Sequence, residues 1–173
     1  MSAEIPVFAF AAAPDQLREG MDMDEVLNLA PANLWMATSR NWWYQGLLSE
    51  VLEAYPGHQP LEYLLELLFW IPPQETLAKA AQIRALLSDI ATHPEAFCVI
   101  NYHDETPEGV RRQVSEAQTL RQLDDDCTLA WANFFSFLAS QAAALEEAAQ
   151  LGLGLIYAQP QPDHSPLLLS FTP

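Results

Sequence analysis

Tyr102, His103, Asp104 and Glu105 set an imidazole and two carboxylates side by side. Such groups shuttle protons or ligate a cation, so acid/base or metal-dependent chemistry would sit here. Adjacent side chains diverge, however, and no second histidine stands at the i+4 spacing that would complete a familiar ligand set. The plainer role is a solvated turn leading into Thr106 and Pro107, an N-cap followed by a first helical residue. His93, Cys98, His103 and Cys127 offer four zinc-competent donors, but no Cys-x-x-Cys or close His pair brings them together. Cys98 reads as a small buried hydrophobe, and His58 and His164 read as loop residues.

The carboxylates are the more informative set. Asp124, Asp125 and Asp126 form a run of three where a helix is expected to begin. One of them is suited to cap that helix, for about 0.3 to 2 kcal/mol. The surplus charge then suits a basic partner residue better than a divalent cation. Glu62 and Glu66 at i, i+4 and Glu50 and Glu53 at i, i+3 place like charges on helix faces, where each pair costs a few tenths of a kcal/mol, on the order of 0.3. No Lys or Arg follows Arg40 on either segment to relieve them. Trp42, Trp43 and Tyr44 are consecutive aromatics that span too wide an arc of a helix to enter one core. At least one ring is left exposed or half exposed, either for an interface, where Trp and Tyr are enriched, or to close the gap between packed helices.

Absences narrow the chemistry. The chain has no Gly-x-Ser-x-Gly elbow, Walker loop, dinucleotide fingerprint or His-Glu-x-x-His, and only 6 glycines in 173 residues. No cofactor is implied. With 23 Asp plus Glu against 7 Lys plus Arg, the formal charge is −16. The imbalance comes from missing cations, since Lys79 is the one lysine. Nucleic acid and anionic substrates would meet an unfavourable field.

The elements that must position these residues follow from periodicity and punctuation. Ile5–Phe10 reads as a strand, and Asp22 with Glu25 as a capping box opening a helix to about Leu29. Residues 31–55 read as helical, in two pieces joined near Thr38 to Asn41. Pro60 opens a further helix with the stripe Leu61, Leu64, Leu65 and Leu68, ended by Pro72 and Pro73. Leu77 to Ile90 forms the next helix. Phe97–Tyr102 is expected as the clearest strand, five of its six residues being apolar. Residues 107–151 read as mainly helical, interrupted near Asp124 to Asp126, with Trp131, Phe134, Phe135 and Leu138 as a core face and Gly152 as the stop. Leu153–Ala158 and Leu167–Phe171 complete the strands. The expectation is one α+β domain over residues 1–173, mostly helical, with about four short strands in a small sheet.

The N-terminus lacks the basic region of a secretory signal, and Leu61 to Ile71 is about half the roughly 20 residues of a bilayer span. Two cysteines make no disulfide framework, so reduced thiols in a cytoplasm are expected, with no membrane partner. In size, charge and lack of catalytic motifs the chain resembles bacterial immunity proteins, the antitoxins that protect a producing cell from its own effector. The resemblance implies a tight cytoplasmic complex with a basic toxin, such as a nuclease, and no catalysis. The carboxylates Glu62, Glu66, Asp104, Glu105 and Asp124 to Asp126 would meet its Lys and Arg, with Trp42 or Trp43 as the apolar anchor. Two alternatives stand beside it: a small metal-dependent or acid/base enzyme at His103, Asp104 and Glu105, and an adaptor subunit. Homodimerisation stays open.

Overall fold

The structure, a computed structural model, describes residues 4–29, 34–41, 43–100, 105–119, 134–159 and 168–169, with the backbone alone at 4–7, 34–41 and 43–45. Strands β1 (Glu4–Ala12), β2 (Leu34–Asn41), β3 (Leu68–Ile71) and β4 (Gly154–Ala158) form an antiparallel sheet in the order β2-β1-β4-β3. Helices α1 (Met23–Leu27), α2 (Trp43–Ala54), α3 (Thr76–Thr92), α4 (Pro94–Ile100), α5 (Pro107–Gln118) and α6 (Phe134–Gln150) make the fold an α+β one, predominantly helical around a small sheet.

Among the described side chains both faces of β1, β3 and β4 are covered, which is why Phe8–Ala12 and β4 read as apolar runs. Side chains alternate across a strand. Ala9, Phe69, Ile71, Leu155 and Tyr157 accordingly join the main core with the helices, whereas Phe10, Ala12, Leu68, Ile156 and Ala158 join a second core with Leu17, Met21, Val26 and Leu169. All five residues of β4 are buried. Its start requires a glycine for space, because a Cβ on Gly154 would overlap the Trp70 ring and the Ile71 carbonyl oxygen on β3.

Several local signals act as expected. Asp22 accepts from the Glu25 N–H at 2.9 Å, and the Glu25 carboxylate accepts from the Asp22 N–H at 3.0 Å, closing the capping box of α1. Thr106 Oγ1 accepts from the Gly109 N–H at 3.1 Å and Pro107 begins α5. On α3, Thr76, Ala80, Ile83, Leu87 and Ile90 are buried at alternating spacings of four and three, a continuous inward stripe. Gly152 ends the α6 segment with φ +68°, a conformation that only glycine adopts without steric cost. Helix α6 is buried nearly all round from Phe134 to Leu145, and it packs against α3, α5 and β4 as the centre of the molecule.

Three expectations are corrected. Residues 34–41 are a strand, not part of the helix expected over 31–55: pairing with the free side of β1, from Glu4 opposite Asn41 to Phe10 opposite Leu34, decides their form. Pro60 does open a helical segment, but it is the 3-10 segment Gln59–Leu65, and Leu68 begins β3. With about three residues per turn, Leu61 and Leu64 suffice as its buried line. Phe97–Tyr102 is not the clearest strand. Residues 94–100 form α4, with Pro94 and Glu95 in its first turn and Phe97 packed on Phe135 at 4.8 Å between ring centroids. The β-branched Val99 that suggested a strand is 80% exposed. Of the final expected strand, Leu168 makes one antiparallel bridge to Asp22. Leu169 follows it, donating its N–H to the Met21 carbonyl and buried in the second core; residues 167, 170 and 171 lie outside the described residues, as do Tyr102, the Asp124 to Asp126 interruption and Trp131.

Candidate acidic interface

Helix α2 is amphipathic by position. Leu47, Leu48, Val51 and Leu52 are buried on one side, which leaves Glu50 and Glu53 exposed on the other. The chain turns at Pro56 and Gly57, the latter at φ +103°, and returns as the 3-10 segment, which packs against α2. Glu62 and Glu66 are exposed on this return. Their relation differs from the expected one, because Glu66 is the extended residue that ends the 3-10 segment and does not share a helical face with Glu62. Four carboxylates therefore project from two consecutive, mutually packed elements. Among the described residues none of the four forms an ion pair.

Four of the seven cations have partners other than these carboxylates. Arg18 pairs with Glu25 beside α1. Arg84 on α3 makes a two-pronged contact with Glu146 on α6, one prong at 2.8 Å, and these bonds push its guanidinium pKa higher still. Arg111 reaches Glu95 at 3.7 Å and Glu108 at 3.9 Å. Lys79 lies over the Tyr63 ring, 4.8 Å from its centroid, a cation–π placement.

Glu105 stands apart from that face. It is half-buried and its carboxylate accepts both contacts from Gln113 Nε2, at 3.1 and 2.9 Å, tying the start of α5 to its second turn. Cys98, on α4, has its thiol pKa pushed up by burial and then by the carboxylates of Glu105 and Glu95. A nucleophilic thiol needs the opposite environment, one that favours the thiolate. Among the described residues no three His, Cys, Asp or Glu side chains gather as a metal site.

Trp43 and Tyr44 open α2, with their side chains outside the described residues, and Trp42, His103, Asp104, Asp124, Asp125, Asp126 and Cys127 lie outside them altogether. Two polar links escaped sequence reasoning. His58 Nε2 lies 3.0 Å from Asp89 Oδ2, fastening the turn after α2 to α3. Tyr55 donates its hydroxyl to the His93 carbonyl at 2.7 Å and accepts from the Phe97 N–H at 3.1 Å, bracing the α3–α4 corner. These partners are separated by 31, 38 and 42 positions, so no local spacing announces them. No helix among the described residues is long and apolar enough to cross a membrane. Comparison with known proteins finds no matching family model, no matching curated protein and no matching solved structure.

Proposed function

We propose that this chain is an acidic binding protein that neutralises a basic protein, acting in the cytoplasm as an immunity protein against a bacterial effector toxin such as a nuclease. The observation that carries the reading is the set of exposed carboxylates Glu50, Glu53, Glu62 and Glu66 on α2 and the adjoining 3-10 segment, without an ion pair among the described residues. Like charges left unrelieved on neighbouring elements destabilise the free protein slightly, and a cationic partner removes that cost on binding. The field of a −16 chain also draws a basic partner in, raising the association rate by about 10- to 1,000-fold at low salt.

The partner supplies Lys and Arg that surround a nucleic-acid or other anionic-substrate site, and the carboxylates occupy the positions its substrate would take. Trp43, offered as the aromatic anchor, begins the same helix about two turns before Glu50. No bond is made or broken in this function. Affinity comes from complementary charge and from the apolar surface the anchor buries.

The test is purification of the tagged chain from its native host in moderate salt, followed by expression of any one-to-one partner alone. Growth arrest by the partner, relieved by co-expression of this chain, supports the reading. A harmless partner overturns the immunity role. Retention of full affinity and salt dependence by a Glu50/Glu53/Glu62/Glu66 to Lys variant overturns the assigned face.

A further inference from the structure

We draw no further inference here: the strongest candidate, the uncharged outer face of α3 formed by Leu77, Ala78, Ala81, Ala85, Ser88 and Thr92, is an unpartnered face of small and apolar residues, and nothing in the structure shows what covers it.

Discussion

Tyr55 joins three elements through one hydroxyl, and its chemistry gives the fold a limit at alkaline pH. Burial pushes its phenol from the ordinary 10.0 up to about 12, opposed in part by the bond from the Phe97 N–H, with Asp89 adding to the rise. A raised folded-state pKa means that the neutral form is the one the fold holds. The stabilisation is therefore complete below pH 10.0 and is lost as the pH rises through about 12. Its size is about 3 kcal/mol. Chemical denaturation at a series of pH values should show stability falling over that window, with a shallower fall in Tyr55→Phe. At pH 7 the same variant should be less stable by about 2 kcal/mol, because the Phe97 N–H and the His93 carbonyl lose their partner. Arg84 and Glu146 make the corresponding link between α3 and α6 at half-buried positions. Arg84→Met should cost about 1 to 3 kcal/mol. A double-mutant cycle with Glu146→Gln, read by urea unfolding, should return a favourable coupling energy, and additive losses would remove the pair from the account of stability.

Two glycines show how differently one substitution acts at the level of elements. Gly154 lies where β4 starts against β3, and a methyl group there overlaps the Trp70 ring and the Ile71 carbonyl. The ring could turn, but the carbonyl belongs to the ladder that pairs Ile71 with Leu155. Gly154→Ala should destabilise by about 3 kcal/mol. Gly46, within the exposed side of α2, has nothing within 4 Å of an added Cβ. Gly46→Ala should stabilise by about 0.5 to 1 kcal/mol, through helix propensity and a less free unfolded chain. Denaturation midpoints of opposite sign check both. The same contrast between local and distant causes explains what the sequence disclosed. The Asp22 box, the Thr106 and Pro107 start and the Gly152 stop depend on residues within one or two turns, and each was legible. Strand β2 owes its form to β1, roughly thirty positions away, and α4 to the aromatic surface of α6, so propensity pointed the wrong way at both. Pro94 and Glu95 were the available sign of a helix start at α4. At the candidate interface, residue type was enough to anticipate that Glu50 and Glu53 flank a buried helical line. The geometry of Glu62 and Glu66 was not, because 3.6 and 3.0 residues per turn share the i+3 spacing and separate only at i+4.

At the scale of the whole molecule, the deficit of cations has a consequence that needs no partner to observe. Of the seven Lys and Arg residues, Arg18, Arg84 and Arg111 already face carboxylates, so the remaining acidic surface is a repulsive load on the compact state. Salt acts on this load in a definite direction. The Debye length shrinks from about 30 Å at 0.01 M to about 8 Å at 0.15 M, which screens repulsion between distant carboxylates more than it weakens the contacting, half-buried Arg84–Glu146 pair. Thermal unfolding at pH 7 should therefore shift upward with sodium chloride across that range, whereas a chain held mainly by surface ion pairs would shift downward. The Glu50/Glu53/Glu62/Glu66 to Gln variant removes four negative charges from the face assigned to the partner. If that face concentrates the load, this variant should unfold at a higher temperature than the parent in low salt and show a smaller rise with salt. An equal rise in both would spread the repulsion over the whole surface and leave α2 and the 3-10 segment without special electrostatic standing. Toward the proposed partner the same residues should behave oppositely: if the proposal holds, neutralising them stabilises the free protein and weakens the complex, as expected of charges retained for recognition at a small cost in folding.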